Sequence, residues 1–295
     1  MKMQAALPTM NSPRAVQKKL ERVGYFADLG LATAIFLSVS LGKPLLLEGE
    51  PGVGKTEAAH ALAAITGREL IRLQCYEGLE AAQSLYEWNY PKQLLQMRLG
   101  AGETAALSDI YTHDFLLERP LLRALRQAEG AIILIDEIDR ADAEFEAFLL
   151  EFLGDFQITI PELGTISASV PPIAVLTSNR TRDLHDALKR RCAYHWIDMP
   201  DPALELRIIK ARAPGLQADA AAALVEAVSR VRSLPLSRQP GISESVEWAM
   251  SAMALERSGE DWPTALRLSL GLLVKEQEDL AHVMCEADLL PGSMA

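Results

Sequence analysis

The segment Gly49-Glu50-Pro51-Gly52-Val53-Gly54-Lys55-Thr56 constrains this chain most, because it fits the pattern G-x-x-x-x-G-K-T in full. Its glycines let the backbone curl so that N–H groups point inward at phosphate oxygens. Lys55 is placed to reach the terminal phosphates of a nucleotide, and the Thr56 hydroxyl to ligate Mg²⁺. A short apolar run, Pro44 to Glu48, precedes the loop and reads as a central strand. The pattern from Ala58 to Ile65 reads as a helix stopped by Gly67, whose positive N-terminal end favours anions.

A second apolar run, Ala131 to Ile135, ends at Asp136-Glu137. In an open parallel sheet, ligands sit at the carboxyl ends of strands. Asp136 is therefore a candidate to hold Mg²⁺ through water, and Glu137 to activate an attacking water. Thr177-Ser178-Asn179 follows a further strand, Ile173 to Thr177. The Asn179 amide is either the group that holds this water against a γ-phosphate or an ordinary turn residue. Lys189-Arg190-Arg191 closes the next helix, where basic side chains also complement the helix dipole.

Between these motifs, Glu69 to Leu73 reads as a second strand and Tyr76 to Ser108 as a poorly periodic, non-helical stretch. Tyr86, Trp88 and Tyr90 would share one side of an extended segment, with core packing ahead of a pore-lining role. Phe145, Phe148, Leu149, Phe152 and Leu153 mark an amphipathic helix that Gly154 is expected to close. Phe156, Ile158 and Ile160, a turn at Pro161 to Gly164, then Ile166, Ala168 and Val170 form a hairpin signal. Beyond Met199-Pro200-Asp201-Pro202 the pattern is helical, with no strand candidate. Residues 1–13 are a loose lead-in, 14–199 an α/β unit and 200–295 a small helical one.

The chain has 295 residues, ample for two such units. Lys plus Arg number 29 against 40 Asp plus Glu, a net charge of −11. Such a chain lacks the broad positive surface of phosphate-dominated nucleic-acid binding. Cys75, Cys192 and Cys285 are sparse and unpaired in sequence, which fits a reducing cytosol rather than a disulfide scaffold. Cys192 and His195 resemble half of a zinc site with no other half. The uncharged run Leu29 to Leu41 falls short of the roughly 20 residues that span a bilayer and reads as a buried helix. Peripheral membrane attachment is left open.

In this order, the P-loop, the Asp-Glu strand, the Asn179 strand end, the basic helix end and a helical C-terminal unit resemble the AAA+ ATPases. The segment at about 76–108 resembles their helix-2 insert, and that at about 155–170 their pre-sensor hairpin. Together these resemble the MoxR-type branch. The phrases Lys43 to Lys55, Tyr86-Glu-Trp-Asn-Tyr90 and Pro240-Gly-Ile-Ser-Glu244 are similar to its CoxD-like subgroup, associated with maturation of the molybdenum–copper site of carbon monoxide dehydrogenase.

The resemblance implies a P-loop AAA+ parallel sheet flanked by helices, followed by a small all-helical lid. It implies an ATPase using ATP and Mg²⁺, with catalytic Lys55, Glu137, Asn179 and Arg191. Asn179 would be the sensor-1 residue. Arg191 would be the finger reaching a neighbouring subunit's γ-phosphate, with Arg190 as the alternative, since Cys192 replaces the usual Phe. A finger in trans implies a ring, typically a hexamer. The expected partners are a protein client, a molybdenum hydroxylase, and a von Willebrand A-domain protein, in the cytoplasm and without nucleic acid. The lid departs from the family: Gly241-Ile-Ser-Glu244-Ser245 carries no sensor-2 arginine, and Arg238 is the upstream candidate to replace it. The rival readings are a nucleic-acid-handling AAA+ module and a nucleotide-gated binding switch.

Overall fold

The computed structural model describes residues 10–99 and 110–286. Residues 1–9, 100–109 and 287–295 lie outside the described residues, and with them part of the expected lead-in, of the expected insert at about 76–108 and of the expected helical lid. In chain order the elements are α1 (Pro13–Arg22), α2 (Leu29–Leu41), β1 (Leu45–Gly49), α3 (Lys55–Thr66), β2 (Glu69–Gln74), α4 (Ala81–Leu85), β3 (Tyr86–Trp88), α5 (Tyr90–Leu99), β4 (Leu116–Glu118), α6 (Pro120–Arg126), β5 (Ala131–Asp136), α7 (Ala143–Asp155), β6 (Gln157–Ile160), β7 (Gly164–Ser167), β8 (Ile173–Ser178), α8 (Asp186–Arg191) and β9 (Ala193–Ile197). The helices α9 (Pro202–Arg212), α10 (Ala218–Ser233), α11 (Ile242–Arg257), α12 (Trp262–Leu268) and α13 (Gln277–Cys285) follow.

These residues form two compact units. One takes in the described parts of 1–19, 27–48 and 56–196, the other 20–26, 49–55 and the described part of 197–295. The first is built on a sheet of order β2-β5-β8-β1-β9, in which β2/β5, β5/β8 and β8/β1 pair in parallel. Strands β1, β5 and β8 are buried along their whole length, the reason they read as unbroken apolar runs. Register then aligns their carboxyl ends: Gln74 opposes Asp136, and Glu48 opposes Ser178. The expected parallel sheet with flanking helices and a helical C-terminal region is the architecture observed.

Several local expectations are corrected. Gly154 does not end α7; the helix runs to Asp155 and Phe156 terminates it at φ 47°. A bulky residue in the left-handed region costs energy. Here the Phe156 ring is buried edge-on to Phe152, at 5.9 Å between centroids, and this packing offsets the cost. The stretch after Tyr76 is not extended throughout. Among its described residues only Tyr86–Trp88 is a strand, paired antiparallel with β4, and Tyr90 begins α5. Trp88 is buried against Tyr86 and Tyr111 at 6.0 and 5.1 Å, whereas Tyr90 is exposed, so the aromatics do not share one face.

Strand β9 went unread: its five residues alternate only weakly and find their place beside β1, where Ala193 N donates to Pro44 O at 2.7 Å. Helix α2, expected to be buried, is buried on one face only, with Leu29, Leu37 and Leu41 exposed.

The second unit packs α9 to α13 around Trp248, whose Nε1 donates to Leu266 O at 3.0 Å. Asp201 and Asp261 cap α9 and α12 by accepting from Leu204 N and Thr264 N at 2.7 and 2.9 Å. Its one buried ion pair within the helical core joins Arg232 to Glu205, at 2.6 and 3.0 Å, among the described residues.

Candidate nucleotide site

The loop of residues 50–54 links β1 to α3. Gly52 and Gly54 stand at φ 79° and 94°, where glycine is at no steric disadvantage. At Gly52 a Cβ would also meet the Gly241 Cα at 3.0 Å. Gly241 precedes α11, and Ile242 N donates to Gly52 O at 3.1 Å, so the first residues of that helix rest on the loop. Lys55 is buried, and its Nζ donates to the carbonyls of Gly49 and Glu50 at 2.8 Å each. The ammonium is thereby held within the loop. Glu50, Pro51 and Val53 complete the turn, with Val53 buried.

In the first unit, Thr56 Oγ1 lies 3.1 Å from Asp136 Oδ1. A hydroxyl and a carboxylate at this spacing are a hard oxygen donor set, the chemistry Mg²⁺ takes. Asp136 is buried and its charge is answered on three sides. Thr56 donates from α3, Thr177 Oγ1 donates at 2.5 Å from β8, and Arg72 donates from β2 through Nε at 2.9 Å. Loss of any partner would leave part of a buried charge uncompensated.

Glu137 follows at φ 55°, and its N–H donates to Thr177 Oγ1 at 2.9 Å. One hydroxyl thus joins both residues: it donates to Asp136 and accepts from Glu137. The Glu137 carboxylate accepts from Gln74 Nε2 at 2.9 Å and from Arg140 Nη1 at 3.0 Å. Sequence reasoning missed Arg72, Gln74 and Thr177 in these roles. The signal for two of them was present, since polar residues at 72 and 74 share one face of a strand.

Asn179 is half-buried directly beyond β8. After it Arg180 takes φ 55°, and its N–H donates to Ser178 Oγ at 3.1 Å. Ser178 donates in turn to Glu48 at 3.3 Å, and Tyr194 Oη donates to the other Glu48 oxygen at 3.1 Å. Partial burial and the Glu48 carboxylate raise the Tyr194 hydroxyl above its ordinary value. Glu48, buried at the end of β1, is a further polar residue that sequence reasoning passed over. Arg190 and Arg191 are both exposed at the end of α8, and Arg191 Nη1 donates to Leu150 O of α7.

Arg238 is exposed in a loop anchored through its own N–H to Asp279 at 3.2 Å. The arginine at the Gly241–Ser245 turn is Arg232 instead, which donates to Pro240 O at 2.8 Å and Ser245 Oγ at 3.2 Å. Glu244 caps α11 by accepting from Gly241 N at 3.1 Å. Arg232 is committed to the buried Glu205, which makes it a core residue of the helical unit.

The chain is similar to protein NorQ of Paracoccus denitrificans, 27% identical over 255 residues that cover 83% of this chain and 86% of that protein. It is 28% identical to the uncharacterized protein SH1500 of Staphylococcus haemolyticus over 222 residues, 72% of this chain and 75% of that one. Among solved structures it is similar to the Thermotoga maritima RuvB Holliday junction branch migration motor, at 18% identity and a TM-score of 0.47, covering 90% of this chain and 71% of that one. The profile of the AAA domain, dynein-related subfamily, matches residues 44–192. This match spans half of the sequence and the whole of the P-loop, the Asp136-Glu137 strand end and the Asn179 strand end, and the chain belongs to that AAA domain family.

Proposed function

We propose that this chain is a MoxR-type AAA+ ATPase that couples ATP hydrolysis to remodelling of a protein client. The observation that carries the reading is the joined pair Asp136 and Glu137 on the Thr177 hydroxyl, with Thr56 at 3.1 Å from Asp136. Residues Gly49, Glu50, Pro51, Gly52, Val53, Gly54, Lys55 and Thr56 bind the triphosphate. Thr56 and Asp136 would hold Mg²⁺, whose charge neutralises phosphate oxygens when bound. Glu137 accepts the proton of the attacking water, a role supported by the hydrogen bond from its backbone N–H to Thr177 Oγ1 at 2.9 Å. Its carboxylate must exchange the Gln74 and Arg140 hydrogen bonds for one to water. Asn179 orients that water.

Arg191, or Arg190 beside it, stabilises charge on the phosphoryl group of a neighbouring subunit in a ring, a hexamer by family resemblance. The client proposed on the CoxD-like phrases is a molybdenum hydroxylase in the cytoplasm, engaged together with a von Willebrand A-domain protein. Among the described residues no helix is long and apolar enough to cross a membrane.

The test is a trap. Tagged Glu137→Gln protein is held with ATP and Mg²⁺ in its native cells, and bound proteins are identified. It is expected to bind ATP without turnover and to retain a molybdoenzyme subunit or an A-domain protein. Wild-type turnover in this variant removes Glu137 as the base. Recovery of replication proteins, or hydrolysis stimulated by DNA and falling steeply with salt, transfers the chain to nucleic-acid work.

A further inference from the structure

Residues 180–185 lead from Asn179 to α8, whose last residues are Arg190 and Arg191. Two buried carboxylates hold this segment. Asp139, three residues beyond Asp136, accepts from Thr181 N and Thr181 Oγ1 at 2.9 and 2.7 Å. Glu146, on α7 between the core residues Phe145 and Leu149, is 1% exposed. Its Oε2 accepts from His185 N at 2.8 Å, and its Oε1 pairs with the Arg182 guanidinium. His185 is the N-cap of α8, with Nδ1 accepting from Ala187 N at 3.2 Å. Arg182 also donates through Nε to Ala141 O at 3.1 Å, and Arg191 donates to Leu150 O on the same α7. Both ends of α8 are thus tied to α7, and Glu146 makes the two ties at its start.

A carboxylate this deeply buried is costly unless its partners are worth keeping in place. An apolar residue would fill the position between Phe145 and Leu149 without that cost. We propose that Glu146 is a positioning residue for the arginines of α8: it fixes the helix start, and so the point that Arg190 and Arg191 reach on a neighbouring subunit. The proposal rests on the reading above that one of those arginines acts in trans. The partners of the Glu146 carboxylate, His185 and Arg182, are not among the residues assigned above to nucleotide or water. Its effect falls on the neighbour's site and leaves its own subunit's P-loop, Asp136 and Glu137 intact.

This separation supplies the experiment. Glu146→Gln keeps the volume and an acceptor for His185 N but turns N–H donors toward Arg182. Purified alone, it is expected to lose about 10²-fold in kcat, the size of a small misplacement of a reacting group. Its KM for ATP should stay within about twofold, because ground-state binding is untouched. Mixed with Glu137→Gln protein, which has a dead site and well-placed arginines, it should gain several-fold over the sum of the separate activities. The control mixture pairs Glu137→Gln with the double variant Arg190→Ala/Arg191→Ala.

A gain in both mixtures supports the proposal. A gain in the control alone overturns it and leaves the trans reading standing. No gain in either overturns both. Should Glu146→Gln fail to fold, Arg182→Met removes the partner from the more exposed side and is expected to show the same kcat loss and the same rescue on mixing. Absence of rescue there overturns the proposal equally.

Discussion

Thr177→Val isolates the hydroxyl that joins Asp136 to Glu137. Valine matches threonine in volume and strand preference, so neither cavity nor propensity enters. Two hydrogen bonds are lost. The first is the 2.5 Å donation to the buried Asp136 carboxylate. Hydrogen bonds to charged groups contribute about 1.5–3 kcal/mol. The second leaves Glu137 N–H without its 2.9 Å acceptor. A deprived donor costs about 1–3 kcal/mol when buried. Glu137 is half-buried, so water recovers part of that term.

Asp136 retains Thr56 and Arg72, which limits the first term. The expected destabilisation is about 2–4 kcal/mol, read as a shift of the urea midpoint with an unchanged slope. Thr177→Ser keeps the hydroxyl and loses a methyl, for about 1 kcal/mol. ATP turnover should fall about 10²-fold in the valine variant, since Glu137 is released from the backbone conformation at φ 55° that directs its carboxylate, with ATP affinity nearly retained. A valine variant as stable and active as wild type refutes the bridge. A serine variant damaged as badly as valine shows that the methyl, not the hydroxyl, is what matters.

Further expectations concern the aromatic insert and the thiols. Trp88→Ala should cost about 3–5 kcal/mol and open the β3/β4 region to protease, because the ring is buried between Tyr86 and Tyr111. Tyr90→Ala, at an exposed ring, should leave thermal stability unchanged; retained stability in Trp88→Ala with loss of client handling would restore the pore reading for Trp88. Burial foremost, and then the Asp136, Asp139 and Glu137 carboxylates, push the Cys75 thiol up to about 12, and burial does the same for Cys192. At pH 8 a thiol reagent should therefore label exposed Cys285 first, with mass spectrometry of the folded protein as the readout.

The sign of the linkage follows from these thiols. Above the ordinary value of 9.0 the unfolded chain releases protons that the folded chain keeps until about 12. The unfolded state then binds fewer protons, and stability falls as pH rises from 9 to 12. Urea midpoints that hold steady across this window in wild type, or that fall equally in wild type and in a Cys75→Ala/Cys192→Ala variant, contradict the assignment.

What was legible in the sequence was whatever a short contiguous stretch could carry. The glycines at 52 and 54, the lysine and threonine after them, and the carboxylates ending an apolar run mark the candidate nucleotide site, because turn chemistry and strand burial are local constraints. The periodicity of α7 and the alternation of the β6/β7 hairpin were equally local.

The tertiary structure decided what depends on register. Arg72 and Thr177 meet Asp136 from 64 and 41 residues away, and only the order β2-β5-β8 brings them there. Strand β9 exists because β1 offers it an edge. Phe156 accepts a positive φ because Phe152 packs on it, and half of α2 stays exposed although nothing in its composition distinguishes one face from the other. A chain pattern specifies which residues are apolar or polar. It does not specify which distant strand will lie beside them, since that choice is settled by the packing of the whole sheet.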